Sequence, residues 1–244
     1  MLAETERAIL QFSGGKDSTA LLHLAKPWLD QIVVYFADTG ATFPHVIEFV
    51  HTECKRLGAT LEIIKPPVSI ATWHEAEGLP SDIVPVESTA EMQWTLKDKA
   101  PRKLQPYTKC CFAMLWLPLQ NAIKSSGIKT VLRGSKKCDA RVGVPDGHVE
   151  DGITYRSPLW DWSDTDVYAY LAKEGVKLPA HYSDVPDSLD CHICSAHLRH
   201  HGAAKLRWTK THYPELYAEL AKRVMAVRNV IDGERAKLDA LDIV

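Results

Sequence analysis

The sequence predicts an α/β protein: a doubly wound, mostly parallel five-stranded sheet followed by a helical C-terminal region. Three observations point there. Short apolar, β-rich runs alternate with helical patterns over the first sixty-five residues. A glycine-rich Ser-Gly-Gly-Lys-Asp-Ser stretch lies between the first strand and the first helix, where such sheets bind phosphates. The run from Ile32 to Ala37 is apolar or aromatic throughout, as expected of a strand covered on both faces.

Taken in order, Ala8 to Phe12 reads as a short strand, and Thr19 to Leu29 as a helix with Leu21, Leu22 and Ala25 on one face. Ile32 to Ala37 is the second strand. Pro44 to Leu57 is a helix opened by proline in its first turn, and Leu61 to Ile64 is the third strand. From Pro66 to Thr108 the periodicity is lost among prolines at 66, 67, 80, 85, 101 and 106, which predicts a long functional loop. A helix from Phe112 to Lys124 and a strand from Thr130 to Arg133 follow. Val142 to Gly152 reads as a loop rich in glycine and acid. Ser157 to Trp162 then leads into a helix from Asp164 to Lys173 with Ser163 as its N-cap. The tail from Ser195 onward is helical and amphipathic. The expected organisation is an α/β domain over 1–194 with a helical extension over 195–244 packed on it.

The 244 residues suffice for one large α/β core. A formal net charge of −2 gives no global attraction to nucleic acid or to an anionic membrane, although local basic patches remain. No apolar run approaches the roughly 20 residues needed to cross a bilayer. The N-terminus lacks the pattern of a secretory signal, so a reducing cytoplasm is expected, where paired cysteines bind metal or do chemistry.

Two glycines in Ser13-Gly14-Gly15-Lys16-Asp17-Ser18-Thr19 let successive backbone N–H groups turn toward a phosphate, and the following helix presents its positive end. Ser13, Ser18 and Thr19 add hydroxyls, and Lys16 adds a full charge. A carboxylate beside phosphates repels them unless Mg²⁺ lies between, so Asp17 is a candidate metal holder, with Asp38 as a second.

Four of the six cysteines form two tight pairs, Cys110-Cys111 and Cys191-x-x-Cys194. On a helix, adjacent side chains diverge by about 100°. That splay suits one tetrahedral zinc poorly, whereas a [4Fe-4S] cubane accepts one thiolate at each corner. Disulfides and zinc are the competing readings. Lys109 and His192 are nearby cationic or N–H partners for an anionic cluster.

Gly134-Ser135-Lys136-Lys137-Cys138-Asp139-Ala140-Arg141 follows the fourth strand, at the expected mouth of the site. Lys136, Lys137 and Arg141 are candidate anion contacts, against the commoner reading of a solvated loop. Cys138, flanked by cations that favour a thiolate, is a candidate nucleophile or sulfur carrier, against an unreactive thiol.

Several of these motifs together resemble a known family. Ser13 to Ser18 resembles the pyrophosphate-binding loop of the PP-loop (N-type) ATP pyrophosphatases, with an adenine nucleotide alpha hydrolase-like fold. Asp38-Thr39-Gly40 with Phe43-Pro44 is similar to the Asp-Thr-Gly-x-x-Phe-Pro stretch of phosphoadenosine and adenosine phosphosulfate (PAPS/APS) reductases, which borders their nucleotide. Gly134 resembles the glycine that faces that nucleotide. Lys109-Cys110-Cys111 and Pro158-Leu159-Trp160 through Cys191-x-x-Cys194 resemble the iron–sulfur type of these enzymes. The resemblance runs from about Ile9 to His197 and implies that Cys110, Cys111, Cys191 and Cys194 hold a [4Fe-4S] cluster. Two departures stand out: no cysteine follows Cys194, where the reductases carry Glu-Cys-Gly-x-His, and Met114-Leu115 replaces an Arg-Lys pair. The glycine loop itself is intact, whereas reductases have a degenerate version.

These features imply ATP pyrophosphatase (adenylation) chemistry coupled to sulfur transfer, with ATP and Mg²⁺, a sulfur donor, and a tRNA, DNA or small-molecule acceptor. The alternatives are a sulfonucleotide reductase acting on PAPS or APS with thioredoxin and releasing sulfite, and a non-catalytic nucleotide- or redox-sensing module.

Overall fold

The apolar N-terminal run becomes β1 (Ala8–Gln11), in which Ala8, Ile9 and Leu10 are fully buried. Each such Leu or Ile contributes about 1.5–3 kcal/mol by leaving water, which makes this strand a centre for the sheet to assemble on. The computed structural model describes residues 6–86, 103–139, 145–189, 191–198 and 202–241. They divide into two compact units, one comprising Met1–Asp38, Phe43–Lys65 and Pro118–Ser188, the other Thr39–Thr42, Pro66–Leu117 and Leu189–Val244.

The first unit carries the sheet. After β1 come α1 (Lys16–Leu24), β2 (Ile32–Ala37), α2 (Pro44–Leu57) and β3 (Thr60–Ile64). The predicted first helix is shorter than its hydrophobic pattern, because Pro27 turns Lys26–Gln31 into a 3₁₀ segment. Gly58 ends α2 in the left-handed conformation at φ 70°, where a side chain would be strained. Strand order is β3-β2-β1-β6-β8-β7, with β6 at Thr130–Leu132, β7 at His148–Glu150 and β8 at Ile153–Arg156. All neighbours are parallel except β7 and β8.

The expected five-stranded sheet therefore has six strands. The extra one is β7, inside the segment read as a loop. Asp151 and Gly152, both at positive φ, form the two-residue turn that pairs Glu150 with Ile153. That Asp-Gly signal was present in the sequence, but β7 is short and largely exposed, so no apolar alternation announced it.

Above one face, Leu10, Leu21, Leu22, Val34, Phe36, Leu159 and Val167 pack together; on the other, Ile9, Ile123, Val131 and Tyr155 do. Helices thus cover both sides, as a parallel sheet requires. Ser163 caps the helix Asp164–Lys173 as expected, accepting from the Asp166 N–H while Asp166 accepts from the Ser163 N–H.

In the second unit, the stretch expected to be structureless contains α3 (Ile70–Glu77), capped by Ser69, and two short parallel strands, β4 (Leu79–Ser81) and β5 (Leu104–Pro106). Helix α3 spans eight residues, too few to impose a period between flanking prolines. Gly78 lets β5 pass close by, since a Cβ there would lie 2.7 Å from the Leu104 nitrogen. The cysteine helix begins earlier than predicted, as α4 (Tyr107–Cys111). It passes through a π turn at Phe112–Trp116 before α5 (Leu117–Ser126), whose residues from Pro118 belong to the first unit. Two helices, α7 (Gly202–His212) and α8 (Pro214–Asp239), account for the helical tail. The capped helix Asp164–Lys173 is α6. Among the described residues no helix is long and apolar enough to cross a membrane.

Candidate functional site

The glycine loop lies at the carboxyl end of β1. Gly14 adopts φ +77°, and a Cβ there would come within 3.1 Å of Val46 and Val50 on α2. Gly134, after β6, passes so close to the loop that a Cβ would lie 2.9 Å from the Ser18 nitrogen and the Asp17 carbonyl carbon. Glycine here is thus required by close backbone approach, not by its φ.

Hydroxyls brace the loop from within. Ser18 Oγ accepts from the Ser13 N–H at 3.2 Å and donates to the Gly15 carbonyl at 3.0 Å, which also accepts from Thr19 Oγ1 at 2.8 Å. Ser13 Oγ accepts from the Gly15 N–H at 3.3 Å. Tyr182, far along the chain, accepts from the Lys16 N–H at 2.9 Å. Three loop amides are therefore satisfied by neutral hydroxyl oxygens. An anionic oxygen is a stronger acceptor than a hydroxyl, so a phosphate can exchange for these partners.

Two lysines and three aspartates gather beside the loop. Lys16 Nζ lies 2.9 Å from Asp17 Oδ2 and 3.1 Å from Asp164 Oδ1. Lys136, whose side chain is fully buried, lies 2.6 Å from Asp17 Oδ1, 2.8 Å from Asp139 Oδ2 and 3.0 Å from Asp164 Oδ1. Burial alone would lower both lysines, but their bonds to these carboxylates outweigh it and leave both pKa values raised. Burial acts on Asp164 in the opposite sense; its bonds to Lys136 and Lys16 hold it below the usual carboxylate range. The sheet thus holds two permanent cations near the loop.

Of the predicted residues, Ser13 to Thr19, Gly134 and Lys136 come together. Asp17 has both oxygens on ammonium groups, surroundings that oppose a resident cation there. Asp38 donates its N–H to the Ile64 carbonyl at 2.9 Å. Lys137 is exposed and bonded through its backbone to the Trp160 carbonyl. Cys138 is exposed, with its Sγ facing Asp139 at 3.7 Å and the Trp162 carbonyl at 3.8 Å, acceptor groups and not cations. Arg141 lies outside the described residues. Neither Asp164, which reads from sequence only as the start of a helix, nor Tyr182 belongs to a pattern that announces a site residue.

His181, on the 3₁₀ turn Ala180–Ser183 that carries Tyr182, is buried with its Nδ1 3.0 Å from His45 Nε2. Burial, then the charge of His45, lowers its pKa to about 4. Unfolded, it titrates near 6.5. The unfolded chain therefore binds the extra proton first, and the stability this neutral ring provides is complete above pH 6.5 and lost as the pH falls toward 4. His181→Gln should reduce the pH slope of the unfolding free energy in that window by up to about 1.4 kcal/mol per pH unit. Urea titrations at a series of pH values read it, and an unchanged slope counts against this origin.

The second unit holds both cysteine pairs, and all six cysteines of the chain are thiols. Cys110 is buried while Cys111 is partly exposed, the divergence expected of neighbours on a helix. Burial, then the neighbouring charges of Cys111, Cys191 and Cys194, pushes the Cys110 thiol up to about 12. Thiols that raise one another's cost of ionising form a donor set that a cationic metal group among them would stabilise as thiolates. Among the described residues no three His, Cys, Asp or Glu side chains gather on one ion-sized point.

Thr39 Oγ1 lies 3.1 Å from Cys191 Sγ, and the Ala41 carbonyl accepts from the His192 N–H at 2.8 Å. Within this unit, the Thr39-Gly40 segment expected at a nucleotide therefore braces the second cysteine pair. Asp82 accepts from the His197 and Leu198 N–H groups at 3.1 Å each, fixing the chain just after Cys194. Lys109, expected to face the cluster, reaches Glu77 at 2.6 Å. The imidazole against Cys110 is His74, at 3.4 Å; no pattern in its segment could have revealed it.

Comparison with known proteins adds to this geometry. Residues 7–197 match the family profile described as phosphoadenosine phosphosulfate reductase domain. The uncharacterized protein MJ0973 of Methanocaldococcus jannaschii is 26% identical over 212 residues, covering 84% of this chain and 44% of its own length. A phosphoadenosine 5'-phosphosulfate reductase of Vibrio vulnificus is 25% identical over 166 residues, covering 67% and 57%. The chain thus spans about half the length of the curated relatives it matches. The crystal structure of phosphoadenylyl-sulfate (PAPS) reductase from Candida auris, in a phosphate complex, aligns with a TM-score of 0.50 at 21% identity, over 72% of this chain and 76% of that one. It shares the fold.

Proposed function

The chain belongs to the phosphoadenosine phosphosulfate reductase domain family, and on that premise we propose that it is an adenine-nucleotide enzyme that cleaves ATP to an adenylate and pyrophosphate, coupled to sulfur transfer. The observation that carries this reading is the intact glycine loop with Lys16 and Lys136 beside it, both reaching one oxygen of Asp164. Such a pair of ammonium groups suits the oxygens of a leaving pyrophosphate.

In the proposed step an acceptor oxygen or nitrogen attacks the α-phosphorus of ATP. The bond from that phosphorus to the α–β bridging oxygen breaks, and its electron pair leaves with pyrophosphate. The amides of Gly15 and Lys16 would exchange Ser13 Oγ and Tyr182 Oη for phosphate oxygens. Lys16 and Lys136 would take up the charge that grows on the leaving group, held in place beforehand by buried surroundings. Asp17 would keep both ammonium groups oriented, and no step is assigned to a metal on it. Cys110, Cys111, Cys191 and Cys194 would hold a [4Fe-4S] cluster, which supplies redox or sulfur-carrying chemistry when bound.

Asp164, exposed over 60% of its side chain, is the carboxylate most readily displaced by an incoming phosphate. Asp164→Asn should therefore bind inorganic pyrophosphate more tightly, by about fivefold, the equivalent of about 1 kcal/mol for a partly exposed ion pair. Calorimetric titration measures it, and weaker binding would contradict the displacement.

A second reading is favoured by the names of the relatives: reduction of a sulfonucleotide with a thiol partner such as thioredoxin, releasing sulfite. One experiment separates the readings. Under anaerobic conditions the protein is given ATP or a sulfonucleotide with candidate acceptors and a thiol reductant. Pyrophosphate from ATP supports the first and sulfite the second; tight nucleotide binding without either product supports a sensing module.

A further inference from the structure

Behind Cys110 stands a line of three polar side chains that the family resemblance does not account for. His74 Nε2 lies 3.4 Å from Cys110 Sγ, and His74 Nδ1 lies 3.0 Å from Arg223 Nη1. Arg223 Nε in turn donates to Glu219 Oε1 at 3.1 Å. His74 and Cys110 are each only 6% exposed, so these contacts are made largely out of water.

The donor inventory fixes the direction of the whole line. A guanidinium has N–H groups and no acceptor. The His74 nitrogen facing it must therefore offer a lone pair, which places the ring proton on Nε2, the nitrogen that faces sulfur. With Arg223 absent, the ring could take the other tautomer and turn a lone pair toward Cys110 Sγ, which repels a thiolate. Glu219 completes the arrangement by orienting the guanidinium.

We propose that His74 is a positioning residue that donates an N–H···S hydrogen bond to Cys110, and that Arg223 holds it in the donating tautomer. The inference rests on reading the cysteines as cluster ligands. It adds a contribution from α8, which lies beyond the stretch 7–197 that the family profile matches. An N–H aimed at a ligand sulfur stabilises the more negative, reduced state of an iron–sulfur group and raises its potential. The low local dielectric strengthens this bond. A merely structural role, pinning α8 to α3, would not depend on which ring nitrogen holds the proton.

Two measurements test the proposal, and the first needs no metal. Nitrogen-15 NMR of the histidine-labelled full chain should show His74 as the Nε2–H tautomer, with Arg223→Lys preserving it and Arg223→Leu losing it. The second is a redox titration of anaerobically reconstituted protein, alongside an iron and sulfide count. Arg223→Leu should lower the ratio of reduced to oxidised cluster at fixed potential by about tenfold, or 59 mV for a one-electron couple, with Arg223→Lys close to wild type. A proton on Nδ1 in the wild type overturns the proposal, as does a fully loaded Arg223→Leu protein with an unshifted potential. If the wild type takes up no iron, the cluster reading falls, and the tautomer measurement still decides the role of His74.

Discussion

Lys16→Ala is expected to slow pyrophosphate release from ATP by about 10²–10³-fold, the scale of removing one preorganised donor from developing negative charge. The fold should survive, because Lys136 still neutralises part of Asp17 and Asp164. The two cysteine pairs lie in the other unit, so iron and sulfide content should match the wild type. Steady-state assays for pyrophosphate, paired with an iron count, measure both. Full turnover in Lys16→Ala would remove the loop from the reaction, whereas loss of activity and iron together would indicate unfolding.

Lys136→Met should instead appear in stability. It removes the only fully buried cation of the cluster and leaves Asp17, Asp139 and Asp164 facing one another with Lys16 alone. Breaking a buried pair typically costs 3–5 kcal/mol, and because Asp139 and Asp164 are half-exposed the expected loss is at the low end, about 3 kcal/mol. Adding Asp17→Asn to Lys136→Met should recover part of that loss, since removing both members of a buried pair is far less costly than removing one. Urea midpoints of the two variants test this. A second substitution that deepens the loss would mean that Asp17 stabilises the loop for reasons unrelated to Lys136.

Both expectations depend on Lys136, which shows where sequence reading reached its limit. Its place in a basic loop after the fourth strand suggested an anion contact, and that loop does stand beside the glycine loop. Nothing in the order of residues indicated that it would be fully buried, or that Asp164, an ordinary first-turn acid of a capped helix, would bridge it to Lys16. Tyr182 is similar: its hydroxyl reaches the loop across 166 positions of chain. Thr39 shows the opposite case, a residue whose motif pointed to a nucleotide and whose hydroxyl meets a cysteine.

What the residues alone determined is local or periodic: the βαβαβ start, the phosphate-type loop, the capped helix at Asp164, the two cysteine pairs and the family they resemble. The elements and the loop follow from backbone preferences and burial patterns that act over a few neighbouring positions, and the cysteine pairs and the resemblance from residue identities and their order. The sixth strand, the lysine–aspartate cluster and the Glu219–Arg223–His74–Cys110 line were decided only by the tertiary structure. They join side chains distant in sequence, and their partners are selected by packing and by the need to satisfy buried charge, which no short window of sequence encodes.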